Sequence, residues 1–251
     1  MKSGEKNTIQ SVDRAIMVLR CFDRGEKLGI TEISRRLGLH KSTTFGLVNT
    51  LAENKFLEQD PETGRYYLGI GLFRISANVQ ISIREIGIPY VKRLVESTGE
   101  TINLVVRDDI YVVYIEKIES SHSMRICTRI GQQLPMYCTA VGKAMLAYLS
   151  PDEVASILER TKMTAYTNRT ITTRAALKAT LDQVRAQGFA IDDEELEEGL
   201  VCVAVPILNS AGYPIAAISV SGPKQRMTEE RVNAICEELK TQAAAMNREV
   251  H

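Results

Sequence analysis

Histidine is scarce in this 251-residue chain and cysteine is scattered. The three histidines (His40, His122, His251) and five cysteines (Cys21, Cys127, Cys138, Cys202, Cys236) include no CxxC pair. That argues against a disulfide scaffold and against a patterned zinc site. Gly142-Lys143 lacks the glycine five positions earlier that a phosphate-binding loop requires, and nothing else calls for a cofactor or a metal. No apolar run approaches the roughly 18–20 residues of a membrane span. The opening Met1-Lys2-Ser3-Gly4-Glu5-Lys6 lacks the apolar core of a signal peptide, so a cytoplasmic protein with no membrane partner is expected. Formal net charge is zero, so no global field draws the chain to polyanions.

Charge is uneven all the same. Residues 1–76 carry 12 Lys and Arg against 9 Asp and Glu, and no acidic residue falls between 33 and 52, where Arg35, Arg36 and Lys41 cluster. A local excess of this kind suits DNA binding by an oligomer better than indiscriminate polycation binding.

The stretch from Ile30 to Leu51 is the most informative. Ile33 and Leu37 lie four apart on one helical face, and Gly38 supplies a left-handed turn after them. Ser42 is a good N-cap for a second helix. Thr44, Leu47, Val48 and Leu51 form that helix's inward stripe, with Thr44 at its edge. Lys41, Ser42, Thr43 and Phe45 remain on the other face, small and hydroxyl-rich with a cation at the N-terminal end. A helix-turn-helix places such an end in the major groove. Residues 53–68 then read as strand, turn and strand around Asp60-Pro61 and Thr63-Gly64. This is a wing, with Arg65 just past its tip for a phosphate or minor-groove contact. Upstream, Val12, Ile16, Leu19 and Phe22 give a third amphipathic helix over 9–22.

From Leu68 to about Ile88 an apolar amphipathic segment (Leu72, Ile75, Val79, Ile83, Ile86) reads as a connecting helix that Gly87-Ile88-Pro89 ends. It suits packing against its twin in a dimer. A second helix, 90–97, leads into a different domain. Strands are expected at 101–107, 110–118, 124–128, 200–207 and 214–221. Helices are expected at 139–149, 151–161, 175–187 and 228–247. Hairpins, helices, a hairpin and a helix make an α+β domain on an antiparallel sheet.

Ser219 and Ser221 are two apart on a strand and share a face. Hydroxyls turned inward need partners, either neighbouring backbone or a small anion. Thr139-Ala140-Val141, at a helix start, also favours an anion. Catalysis has a weaker case: no histidine is placed as a base for Cys202, and the run Asp192-Asp193-Glu194-Glu195 reads as a solvated face. A small-acid-converting or cysteine-dependent enzyme, or a pure dimerisation module, stand as alternatives.

Several blocks together resemble the IclR family of bacterial transcriptional regulators over about residues 8–248. They include Ser11-Val12-Asp13-Arg14-Ala15, Leu39-His40-Lys41-Ser42-Thr43, Gly64-Arg65-Tyr66-Tyr67-Leu68-Gly69, Thr139-Ala140-Val141-Gly142-Lys143-Ala144, Gly199-Leu200-Val201-Cys202 and Ser219-Val220-Ser221-Gly222-Pro223. The resemblance implies a winged helix-turn-helix domain (8–70), a linker helix (71–88) and a GAF-like effector and oligomerisation domain (89–251). It implies homodimers or homotetramers on palindromic operator DNA, regulating a catabolic operon, more often as a repressor, in response to a small organic acid. On the residues themselves, the DNA contacts expected are Lys41, Ser42, Thr43, Thr44 (which borders the buried stripe), Phe45 and Arg65, with Arg35 or Arg36 on the DNA backbone. The implied effector pocket is Ser123, Ile126, Leu134, Ala140, Val141, Asp192, Cys202, Ser219 and Ser221. The serines would hold a carboxylate, and Asp192 and Cys202 would form the polar end. Family members often carry arginine where this chain has Gly46. Glycine there costs about 1 kcal/mol of helix stability relative to alanine, so Phe45 is expected to make an apolar contact with a thymine methyl.

Overall fold

The computed structural model describes residues 8–22, 25–76, 82–126 and 128–250. The chain divides into two compact units, 1–80 and 81–251.

In the first unit, α1 (Gln10–Arg20), α2 (Ile30–Leu37) and α3 (Lys41–Glu53) pack around Val18, Phe22, Leu28, Ile33, Val48 and Leu57. Gly38 ends α2 at φ 63°, the left-handed turn read from the sequence. The cap of α3 differs from expectation. Helical geometry begins at Lys41, and His40 rather than Ser42 caps it, its Nδ1 accepting the Ser42 N–H at 3.4 Å. The inward face of α1 also differs. Val12 and Ile16 are 53% and 46% exposed, while Val18 and Phe22 are buried with Ala15 and Leu19 beside them. The segment carries two apolar faces, and the one centred on Val18 enters the core.

The wing is the antiparallel pair β1 (Leu57–Gln59) and β2 (Tyr66–Leu68), with Leu28 bridged to Tyr66 as a third short contact. Asp60 shapes its turn by accepting the N–H groups of Glu62 and Thr63 at 2.9 and 3.1 Å. Helix α4 (Ile70–Ser76) starts hard against the end of α3. The Gly71 N–H donates to the Lys55 carbonyl at 2.8 Å, and a Cβ at Gly71 would stand 2.6 Å from that oxygen. Only glycine allows that approach. Val79, expected within the connecting helix, lies outside the described residues.

The second unit is a six-stranded antiparallel sheet in the order β5-β4-β3-β8-β7-β6. Its strands are β3 (Thr101–Asp108), β4 (Tyr111–Ile118), β5 (Gln133–Pro135), β6 (Ala190–Asp193), β7 (Leu200–Leu208) and β8 (Pro214–Pro223). Helices α5 (Ser82–Thr98) and α9 (Glu229–Asn247) cover one face through Val91, Leu94, Ile235 and Leu239. On the other face lie α6 (Ala140–Leu146), α7 (Pro151–Arg160) and α8 (Arg174–Gln187). The α+β architecture with an antiparallel sheet is as the sequence led us to expect.

Three expectations fail locally. Helix α5 runs through Pro89 instead of ending there. Proline removes one helical hydrogen bond but need not stop a helix that packing holds. Gly87 is there for close packing, since a Cβ would lie 2.4 Å from Leu104 Cδ2. Residues 124–126 form no strand, and the edge strand is β5 instead. Strand β6 stands where a loop and a solvated acidic run are expected. It alternates, burying Ala190 and Asp192. No helix among the described residues is long and apolar enough to cross a membrane.

Candidate nucleic-acid interface and buried cavity

Lys41, Ser42, Thr43 and Phe45 stand exposed on α3, Phe45 to 54%. Beside them Gly46 faces open space. Thr44 does not join this surface. It is fully buried, and its hydroxyl donates to the His40 carbonyl at 3.2 Å, so the expected DNA contact there is corrected to a core position. Two of the three expected arginines are engaged within the protein. Arg36 makes a two-pronged pair with Glu26 (2.7 and 2.9 Å) and donates to the Cys21 carbonyl. Arg65 turns inward, donating to Glu32 at 2.6 Å and to the Lys27 carbonyl at 2.8 Å, which braces the wing against α2. Glu32 also accepts the Gly29 N–H at 2.9 Å, and this bond first, then Arg65, holds its carboxyl below the usual range. Arg35 is exposed and has no ion pair among the described residues.

Strand register builds the second site. Across β6, β7, β8 and β3, Asp192, Cys202, Ser221 and Thr101 stand opposite one another in one row. Ala204, Ser219 and Asn103 fill the next row on the same face. Helix α6 covers this face, starting from Thr139, whose hydroxyl accepts the Gly142 N–H at 3.2 Å. Gly142 itself packs on Met136, where a Cβ would come to 2.3 Å from backbone. Between sheet and helix lies a cavity of about 70 Å³ lined by Asp192, Cys202, Ser219 and Ser221 from the sheet, Ala140 and Val141 from α6, and Ile126 and Leu134 at the edge.

The serine hydroxyls meet a side chain. Asn103 Nδ2 donates to Ser219 and Ser221 Oγ at 3.4 and 3.3 Å, and Thr128 Oγ1 donates to Asn103 Oδ1 at 2.6 Å. At the other end Asp192 is 1% exposed and its Oδ1 accepts the Glu195 N–H at 2.7 Å. Burial pushes its carboxyl up to about 7, against the pull of that bond and of Lys143.

With both surfaces in view, the comparison with known proteins is decisive. Residues 11–61 match the IclR helix-turn-helix domain, and residues 76–248 match the domain described as bacterial transcriptional regulator IclR C-terminal. The chain belongs to the IclR family. It is 39% identical over 243 residues to the HTH-type transcriptional regulator KdgR of Escherichia coli K12, covering 95% of this chain and 92% of that one. To the transcriptional repressor IclR of the same organism it is 35% identical over 229 residues, with 89% and 84% covered. The crystal structure of the Thermotoga maritima IclR superposes with a TM-score of 0.77 at 30% identity, covering 97% of this chain and 99% of that one. This IclR-family member is therefore a DNA-binding transcriptional regulator and not an enzyme.

The Cys202 thiol fits that conclusion. Burial first, then the charge of Asp192, pushes it far up, away from the thiolate a nucleophile needs. Of the nine residues implied for the pocket, eight line the cavity. Ser123 does not: it is exposed in the loop after β4, and this position is corrected to surface. Sequence reasoning missed Asn103, Tyr114, Gln132 and Glu197. Asn103 alone left a usable signal, as a polar residue in phase with Thr101 between the apolar Ile102 and Leu104.

Proposed function

We propose that this regulator is a repressor of a catabolic operon whose operator affinity is set by a small organic acid in the cavity of its second unit. The observation that carries this is the cavity's lining: donors at one end (Ser219, Ser221 and, behind them, Asn103) and apolar walls between them and Asp192. Apolar walls with a few convergent polar groups describe a small-molecule site, and the N–H groups of Ala140 and Val141 in the first turn of α6 add donors. Lys41, Ser42, Thr43 and Phe45 contact bases or phosphates, and Arg35 contacts the DNA backbone.

The working unit is a homodimer or homotetramer on a palindromic site. The outward faces of α1 with its N-cap (Val12 and Ile16, with Ile9) and of α4 (Ile70, Phe73, Ile75), exposed to 46% or more, support pairing of first units. We divide the chain into a DNA-binding domain (8–70), a linker (71–88) and an effector-binding and oligomerisation domain (89–251). The linker carries the switch, which requires the acid to bind two conformations unequally.

A melting-temperature screen of the purified protein against small organic acids, beside a Ser219→Ala/Ser221→Ala variant, tests this. A ligand specific for the folded state raises Tm. The expected result is a selective rise that the variant loses. No rise with any acid would overturn the acid reading and leave the DNA-binding function standing.

A further inference from the structure

We infer that Asn49 reads an adenine in the major groove, and that Gly46 is the clearing through which α3 comes close enough for it to do so. Both residues serve the DNA-binding function and neither touches the cavity of the second unit.

Helix α3 turns Thr44, Val48 and Leu51 into the core. Ser42, Phe45, Gly46 and Asn49, spaced three and four apart, form an outward stripe, and all four are exposed. No acidic residue falls between 33 and 52, so nothing along this stripe repels phosphates. Glu53, exposed one turn beyond Asn49, ends it.

Several polar side chains around Asn49 are engaged within the protein. Thr44 and Thr50 donate to the His40 and Gly46 carbonyls at 3.2 and 2.9 Å. Asn54 donates to the Thr50 carbonyl at 2.8 Å, and Ser42 Oγ lies 2.8 Å from His40 Nδ1. Asn49 makes no side-chain hydrogen bond among the described residues. Asparagine weakens a helix interior, because its amide competes for backbone groups, and here no partner in the protein accounts for it. The amide offers an acceptor and two donors. That pattern complements the N6 amino group and N7 of adenine, which an asparagine meets with two hydrogen bonds.

Gly46 likewise has no reason inside the protein to be glycine. Its backbone is ordinary helix, and an added Cβ would meet nothing within 4 Å. At Gly71, Gly87 and Gly142, by contrast, a Cβ would come to 2.6, 2.4 and 2.3 Å from a neighbour. Glycine is the poorest helix former after proline, so its place on this outward stripe weakens α3 with no gain in packing. Local rules of this kind are broken chiefly where function requires it. What a bare helix surface permits is the close approach of another molecule.

The two residues act together. Side chains on a helix lean towards its N-terminus, so Asn49 stands over the turn that holds Phe45 and Gly46. A short amide reaches base edges only if the helix lies deep in the groove, and the missing side chain at Gly46 allows that depth. Phe45 and Asn49 are four residues apart, about 6 Å along the axis, close to two base-pair steps of about 3.4 Å each. With Phe45 on a thymine methyl, Asn49 meets an adenine about two base pairs away.

The experiment is selection of duplexes from a random pool by the full chain, wild type beside Asn49→Ala, followed by titration of the selected duplex. The wild type is expected to select an adenine about two base pairs from a thymine in each half-site. Asn49→Ala is expected to lose preference at that adenine alone and to keep the salt dependence, since no phosphate contact is removed. Replacing the adenine by 7-deazaadenine deletes N7 and preserves base pairing. That change is expected to weaken the wild type about fivefold or more and to leave Asn49→Ala unmoved. Gly46→Ala is expected to weaken binding to the same duplex by a similar factor. Both variants are expected to melt no lower than the wild type, which separates a lost contact from a lost fold. A selected site without that adenine, an unchanged preference in Asn49→Ala, or equal 7-deazaadenine penalties in the two proteins would overturn the contact. A lower salt slope in Asn49→Ala would make it a phosphate contact and overturn base reading. Equal or tighter binding by Gly46→Ala would overturn the clearing.

Discussion

Lys143 and Glu195 form an ion pair inside the second unit, their side chains only 1% and 9% exposed, where α6 meets the loop after β6. Lys143 donates as well to the Ile191 carbonyl at 2.6 Å, while Glu195 Oε2 is buried without a partner among the described residues. The pair ties both flanks of Asp192 to the helix that roofs the cavity. Removing one partner leaves the other charge buried and uncompensated, which costs about 3–5 kcal/mol. Lys143→Met is therefore expected to lose about that much in urea unfolding, and Lys143→Met/Glu195→Leu to recover most of it. A loss below about 1 kcal/mol in the single variant would contradict the burial described here.

Asp192 makes stability depend on pH. Its carboxyl titrates near 7 when folded and near 4 when unfolded. Between those values the folded state holds the extra proton, so stability falls as pH rises through this window, by roughly 1.4 kcal/mol per unit at most. The difference in unfolding free energy between wild type and Asp192→Asn is expected to shift towards the variant from pH 4 to pH 7 and to level off above 7. A difference independent of pH would show that Asp192 is ionised normally.

Arg65 and Lys41 separate bracing from DNA contact. Arg65 is held by Glu32 and the Lys27 carbonyl, whereas Lys41 is exposed at the start of α3. Lys41→Ala is expected to lower the slope of log affinity against log salt by about one. Arg65→Ala is expected to weaken binding with that slope unchanged. Equal slope changes in both variants would make Arg65 a phosphate contact.

Phe45 and Gly46 test sequence reading. Phe45 is 54% exposed beside a glycine where an added Cβ would meet nothing within 4 Å. Gly46→Ala is expected to stabilise the first unit by about 1 kcal/mol. Phe45→Ala is expected to relax preference at a thymine position; selection from random duplexes with an unaltered base preference would rule that contact out.

Much of this is legible in the sequence because it is local. The turn at Gly38, the stripe of Val48 and Leu51, and the shared face of Ser219 and Ser221 all follow from spacing within one element. What stays hidden depends on distant pairing. Asn103 reaches the serines only because β3 lies beside β8. Asp192 is expected at the pocket through the resemblance, but the run around it reads as a solvated face, and only strand alternation in β6 shows why it is buried. Arg65 falls at a wing tip in the sequence, which gives no sight of Glu32 on α2. Pro89 reads as a stop signal, but packing of α5 on the sheet overrides it.

The most direct test of control by an acid is fluorescence anisotropy on a duplex selected by the protein itself, titrated with whichever acid raises its melting temperature. The acid is predicted to change DNA affinity about tenfold or more in the wild type. The Ser219→Ala/Ser221→Ala variant is predicted to bind the same duplex normally without acid and to ignore the acid when it is added. An unchanged wild-type affinity, or a variant that responds as the wild type does, would contradict control through this cavity.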